Sequence, residues 1–167
     1  MSKNPSVLHI IDSLEPGGAE RVAIMMANLF SGKRHKVGLM YFIHTSINLL
    51  DTIINDVQVY QFDRKGKFNI LQKKEFQKIT KEYDLLHVHL KHNLRYVWFM
   101  KLFSKRIPTV VFHDHGFTSL KHMDLKVTKA ALTDAVYISV NESLSEIARK
   151  RLGVKTAHLL ESTIETI

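Results

Sequence analysis

An α/β chain with a doubly wound parallel sheet of about six to seven strands, helices on both faces, is what this sequence predicts. Three observations carry the prediction. Apolar, β-rich runs alternate with helical patterns of about 8–15 residues almost without a break, the rhythm of βαβ units. A length of 167 residues suits a single domain. Hydrophobic residues at 45% against 24% charged supply a real core and exclude disorder.

Each element follows from its own pattern. Val7–Ile11 is a short strand run, ended by Asp12 and the turn formers Glu15, Pro16, Gly17 and Gly18. Val22, Met25, Met26 and Leu29 recur at helical spacing and predict a stripe facing the core. Val37–Phe42 reads as the second strand, Ile47–Asn55 as a short helix and Val57–Phe62 as the third strand. Phe68, Leu71, Phe76, Ile79 and Tyr83 share one side of a predicted amphipathic helix over Phe68–Tyr83. Leu85–Val88 is the fourth strand, Asn93–Phe103 a helix, and Thr109–Phe112 the fifth strand after Pro108. Leu125–Leu132 is helical and Ala135–Val140 is the sixth strand. Leu144, Ile147, Ala148 and Leu152 form a stripe that stops at Gly153, a C-terminal cap glycine, and Thr156–Leu160 is the seventh strand. The result is one Rossmann-like domain over residues 1–167.

Composition narrows the function classes. Cysteine is absent, so disulfides and thiolate zinc sites are excluded, which suits a reducing cytoplasm. No apolar run of signal-peptide or membrane-spanning length is visible. The formal charge of +8 favours polyanions: nucleic acid, anionic lipid or phosphorylated metabolites.

In an open parallel sheet, ligands bind beyond the C-terminal strand ends, where strand order reverses. After the first strand, Ser13–Arg21 (SLEPGGAER) opens directly into a helix. Paired glycines allow close backbone approach, and helix N–H groups suit a phosphate oxygen. The spacing is neither G-x-G-x-x-G nor a P-loop, which disfavours a dinucleotide site or an ATPase; a plain β–α turn is the bland alternative.

Five histidines gather after strands four and five: His87, His89, His92, His113 and His115. A lone histidine is usually structural, but five at the switch point suggest a site. HVHLKH and HDH resemble metallohydrolase patterns in outline, yet Lys91 stands where such a pattern has Asp, and no bridging carboxylate accompanies the set. The other possibility is polar recognition of hydroxyls and phosphates, with His113 best placed to orient a reacting sugar hydroxyl. No metal and no cofactor is expected.

Basic residues crowd two segments: Arg64, Lys65, Lys67, Lys73, Lys74, Lys78 and Lys81, then Arg95, Lys101, Lys105 and Arg106. The second group interleaves with Tyr96, Trp98, Phe99 and Phe103, a pattern suited to an anionic membrane surface or to nucleic acid. The bland alternative is a solvated basic face with its aromatics packed on the sheet. No recognised nucleic-acid motif is present, and no nucleic-acid partner is expected.

Four stretches carry a resemblance. Val7–Leu29 (VLHIIDSLEPGGAERVAIMMANL) closely resembles the opening of family 4 glycosyltransferases of the GT-B fold, with their P-G-G-A-E-R type loop. Asp84–His89 (DLLHVH), Thr109–Gly116 (TVVFHDHG) and Ser139–Gly153 (SVNESLSEIARKRLG) are similar to the family's fourth strand, fifth strand and pre-junction helix. The resemblance implies a retaining transferase that moves a sugar from a nucleotide-sugar donor to a glycan or lipid-linked acceptor, in surface polysaccharide or lipopolysaccharide synthesis. It implies that this chain is the N-terminal, acceptor-side domain, cytoplasmic and peripheral on the inner membrane face. Gly17 and Gly18 would contact the donor diphosphate and His113 would lie near the transferred sugar. Arg21, His89, His115, Asn141 and Glu142 are looser carry-overs to the cleft.

Two departures bear on that implication. The second, donor-binding domain of the family is absent from this chain, and the junction Leu160–Glu165 has Ser162 where the family's pattern has asparagine. A chain ending at a domain boundary is expected, inactive by itself. The competing expectation is a stand-alone binding module for a phosphorylated or nucleotide ligand, or for a partner subunit.

Overall fold

The computed structural model describes residues 4–54, 56–66, 69–104, 106, 108–116 and 122–160. Seven strands form one sheet in the order β3-β2-β1-β4-β5-β6-β7, and every pairing is parallel. They are β1 (Val7–Ser13), β2 (Val37–Ile43), β3 (Val57–Gln61), β4 (Leu85–His89), β5 (Thr109–Asp114), β6 (Ala135–Ser139) and β7 (Ala157–Leu159). The helices are α1 (Gly18–Gly32), α2 (Lys73–Thr80), α3 (Lys91–Leu102), α4 (His122–Leu132) and α5 (Glu142–Ile147). This is the doubly wound, Rossmann-like α/β fold of the sequence expectation.

Parallel register places paired residues on the same face, so strand parity sorts the core into two clusters. Leu8, Ile10, Met40, Phe42, Leu86, Val88 and Phe112 pack with Phe76, Leu94, Tyr96, Val97 and Met100 of α2 and α3. On the other face Ile11, Val37, Leu39, Tyr41 and Val57 pack with Ala23, Ile24 and Ala27 of α1. Gly38 sits where the sheet has no room for a side chain, because a Cβ there would run into the Tyr83 hydroxyl and lie 2.8 Å from Leu8.

Three predicted elements change on folding. The core stripe of α1 is Val22, Ala23, Ile24 and Ala27, whereas Met25 and Leu29 are 50% and 52% exposed. The two alanines face the sheet, so the heavier side chains turn outward. Instead of a helix over Ile47–Asn55 there is one 3₁₀ turn, Leu50–Thr52. The Asn48 side-chain Oδ1 accepts from Leu50 N at 3.1 Å and the Thr52 hydroxyl donates to Leu49 O at 2.7 Å, bonds that compete with helix continuation. The helix predicted over Phe68–Tyr83 is a 3₁₀ turn, Ile70–Gln72, followed by α2; Phe68 lies outside the described residues.

Other boundaries shift in ways that matter for the site. Strands β1, β4 and β5 run one or two residues further than predicted, so His89, His113 and Asp114 belong to strands rather than to the loops beyond them. Helix α3 begins at Lys91 after a single corner residue, Leu90, whose φ of 72° is rare for a residue with a side chain. Gly153 ends the turn after α5 in the left-handed conformation, as its sequence position predicts. Among the described residues, no helix is long and apolar enough to cross a membrane.

Candidate functional site

Strand order reverses between β1 and β4, and in open α/β sheets ligands bind beyond the C-terminal strand ends at such a point. Beside it the sheet carries a row of imidazoles. His9 is in register with His87, and His89 with His113, so all four point to one face of the sheet. His9, His89 and His113 are fully enclosed and His87 nearly so, while His115, just beyond β5, is partly exposed. Ring centroids are 4.5 Å apart for His87 and His89, 5.0 Å for His89 and His115, and 4.2 Å for His113 and His115.

Hydrogen bonding in the cluster is incomplete. His89 Nε2 lies 3.3 Å from His9 Nδ1, and His89 Nδ1 lies 2.8 Å from His115 Nε2. His9 Nε2, His87 Nε2 and both nitrogens of His113 have no hydrogen-bond partner among the described residues. Burial holds the rings neutral. It pushes His9 down to about 3, helped by His113, and His113 down to about 4, helped by His115 and opposed by Asp114. Burial alone takes His115 down to about 4, and burial with the neighbouring rings holds His87 and His89 well below the ordinary histidine value.

The opposite side of β5 anchors the turn that follows the cluster. Lys91 Nζ donates to Asp114 Oδ1 at 2.8 Å and to Gly116 O at 2.6 Å, and the Tyr137 hydroxyl donates to Asp114 Oδ2 at 2.9 Å. Lys91 therefore serves as a buried tie between α3 and the His113–Gly116 segment.

At the end of β1, Asp12 meets an arginine and a histidine. Arg64 Nη2 lies 3.1 Å from its Oδ1, and His92 Nε2 lies 3.1 Å from the same atom. Burial by itself would raise the Asp12 carboxyl, but its contact with His92 and the charges of His92 and Arg64 outweigh burial and hold it below the usual range. Arg64 also stacks over Phe42 and Tyr96, at 4.8 and 5.5 Å from the ring centroids.

The glycine loop delivers the N-terminus of α1 to the same edge of the sheet. Gly17 caps the helix in extended conformation and, as a glycine, makes no side-chain cap hydrogen bond. A Cβ on Gly17 would meet the Glu20 carboxylate, whereas Gly18 has nothing within 4 Å. An anion at this helix end has open space over Gly18 and must displace or neutralise Glu20.

The structure thus gathers most of the expected residues and reassigns others. His87, His89, His113 and His115 come together, but His92 leaves them for Asp12, and His9 takes its place. Arg64 belongs to a half-buried network rather than to the surface lysines, and Tyr96 to the core, while Phe103 remains 45% exposed. Arg21 is exposed beside a groove lined by Met25, Asn28, Leu49 and Thr52. Asn141 caps α5, its side chain accepting from Leu144 N at 2.9 Å, and Glu142 pairs with Arg149 at 2.9 Å. Lys67, Lys105, Phe117 and the junction stretch 161–165 lie outside the described residues. His9, Lys91 and Asp114 were the residues that sequence alone did not select. Strand parity was the available signal for His9, and nothing short of the β4–β5 adjacency could reveal the ion pair.

No protein-family model matches the chain, and no curated protein does. Solved structures do. The chain is similar to HepE of Anabaena in complex with UDP and glucose, with a TM-score of 0.70, 17% identity, and coverage of 94% of this chain and 44% of that one. It is similar to sucrose-phosphate synthase of Thermosynechococcus elongatus, with a TM-score of 0.69, 13% identity, and coverage of 94% and 47%. An alpha-glucosyltransferase in complex with UDP and a 13-mer DNA gives a TM-score of 0.63 at 12% identity, covering 95% and 42%. At these identities the likeness establishes the fold. The chain spans less than half the length of each of these structures.

Proposed function

We propose that this chain is the acceptor-side, N-terminal half of a family 4, GT-B type glycosyltransferase that moves a sugar from a nucleotide-sugar donor with retention of configuration. The observation that carries this is the fold likeness over 94% of the chain to a structure holding UDP and glucose. The geometry supports it: a glycine-opened helix N-terminus and a histidine cluster share one edge of the sheet, beside the strand-order reversal.

In this proposal the α1 N–H groups at Gly17 and Gly18 receive the donor diphosphate, and the helix dipole stabilises the charge that develops as it departs. His113 orients the transferred sugar, with His89 and His115 around it; Arg21, Asn141 and Glu142 border the cleft. A second domain supplies the nucleotide contacts, and closure of the two excludes water. The transfer needs no metal cofactor. The acceptor is a glycan or lipid-linked saccharide of a cell-surface polymer, and the +8 charge holds the enzyme to the anionic inner face of the membrane.

The test supplies the longer protein carrying this chain with radiolabelled UDP-sugars and membrane extract. Transfer to extract, with none by the 167-residue chain alone, is expected. Micromolar binding of a nucleotide sugar by this chain alone in calorimetry would favour the stand-alone binding module instead. DNA acting as acceptor, as the DNA-bound neighbour invites one to ask, would overturn the choice of acceptor.

A further inference from the structure

We propose that His89, His113 and His115 form a binding site for one transition-metal ion of the zinc, cobalt, nickel and copper class. The site stands on its own geometry; it is not a cofactor site of the sugar transfer proposed above, and an ion held there would compete with the sugar for the same three rings.

The donor set is already assembled. One ring nitrogen from each of the three residues lies within 4.8 Å of the others. In a tetrahedral site with metal–nitrogen bonds near 2.0–2.1 Å, ligand nitrogens stand about 3.3 Å apart. The His89–His115 contact of 2.8 Å must therefore open slightly and the His113 ring must swing inward. Both are side-chain adjustments.

The cluster also has a reason to take an ion. Each neutral imidazole carries one N–H and one lone pair. The chain His9–His89–His115 uses some of these, yet both nitrogens of the enclosed His113 remain without a hydrogen-bond partner among the described residues. Buried polar atoms left in that state cost about 1–3 kcal/mol each. A metal bound through a His113 nitrogen satisfies a lone pair that no other described residue reaches.

Chemistry and access choose among ions and positions. The donors are imidazole nitrogens with no carboxylate oxygen among them, which suits zinc, cobalt, nickel and copper and excludes a magnesium or calcium site. Of the two histidine triads, His9–His87–His89 is wholly buried, whereas His115 leaves the second triad an entry path. His89 keeps its Nε2 against His9 Nδ1 while Nδ1 faces the ion, an outer contact that fixes ring and tautomer. Lys91 stood in the sequence as an argument against a metal; in the fold it is engaged with Asp114 and Gly116 and leaves the three imidazoles clear.

The experiment titrates cobalt chloride into untagged, chelator-stripped protein and follows visible absorption. The expected result is one saturable equivalent with tetrahedral d–d bands, displaced by zinc and unaffected by millimolar magnesium. His115→Ala should weaken binding more than ~10-fold, whereas His44→Ala and His158→Ala, both exposed elsewhere, should leave it unchanged. Paramagnetically shifted imidazole resonances of the wild-type cobalt protein identify the ligands without any substitution, should His115→Ala misfold. An absence of saturable binding, or shifted resonances that exclude His89, His113 and His115, overturns the site.

Discussion

Lys91 Nζ lies 2.8 Å from Asp114 Oδ1, with both side chains almost fully enclosed, so a charge pair ties α3 to β5 directly behind the histidine cluster. Removing one partner strands the other charge in the interior. Lys91→Met should destabilise the fold by about 3–5 kcal/mol, read as a lower urea midpoint. Asp114→Asn removes the carboxylate facing the Lys91 ammonium and leaves one acceptor where Lys91 and Tyr137 use two, so it should also lower the midpoint. An unchanged midpoint in Lys91→Met would contradict the tie.

Acid should unfold the protein early. The cluster histidines have folded-state pKa values below the ordinary 6.5: about 4 for His113 and His115, about 3 for His9, and well down for His87 and His89. Below pH 6.5 the unfolded chain therefore binds more protons than the folded one. The stability these rings contribute is complete above that pH and drains away as pH falls toward 4. Each proton of difference contributes a slope of about 1.4 kcal/mol per pH unit. Asp12, held below 3.8, adds nothing to this window because its contribution is lost only under stronger acid. Urea midpoints measured in chelator at pH 7, 6 and 5 should descend; a flat series refutes buried neutral imidazoles.

Gly38→Ala should be costly although alanine suits a strand better than glycine. Its methyl group would collide with the Tyr83 hydroxyl, itself 3.0 Å from the Tyr60 hydroxyl. Overpacking of this kind costs about 1–3 kcal/mol. Adding Tyr83→Phe removes the nearest obstacle and should restore part of the loss, a coupling that thermal melts of the four chains can measure.

Gly18→Ala separates binding from folding. Nothing lies within 4 Å of a Cβ there, and an alanine for glycine exchange in a helix stabilises by up to about 1 kcal/mol. Stability should hold or rise, while the longer protein's affinity for a nucleotide sugar should fall at least ~10-fold if the diphosphate lies over this residue. Unchanged donor affinity would move the diphosphate elsewhere.

His113→Ala in the longer protein should abolish sugar transfer with the fold intact by circular dichroism. The substitution removes two buried nitrogens that have no hydrogen-bond partner among the described residues, which offsets part of the lost packing. Turnover close to wild type would remove His113 from the proposed chemistry.

Much of this was legible in the order of the residues. Runs such as VGLMYF declare strands because a sheet covered on both faces needs apolar side chains on each. In α1 side-chain bulk is a poor sign of burial. Ala23 and Ala27 face the sheet, and Met25 and Leu29 are left outside. His9 escaped notice inside the apolar run VLHII, although its parity with Val7 and Ile11 put it on the α1 face. His92 parts from the other histidines because the chain turns at Leu90, and a turn of one residue leaves no trace in spacing. Lys91 and Asp114 are far apart in sequence and meet only because β4 and β5 are neighbours.

That corner residue has a consequence for how the protein can vary. Leu90 holds a φ of 72°, a conformation that costs a residue with a side chain about 1–3 kcal/mol, while its side chain packs against the α1 core. Its neighbours face different tasks, His89 toward the imidazole row and Lys91 toward Asp114. Glycine would ease the backbone and vacate the core; valine or isoleucine would fill the core and strain the backbone further. An unreactive leucine beside the cluster therefore accepts few replacements, and drift there would disturb the chemistry on both sides of it at once.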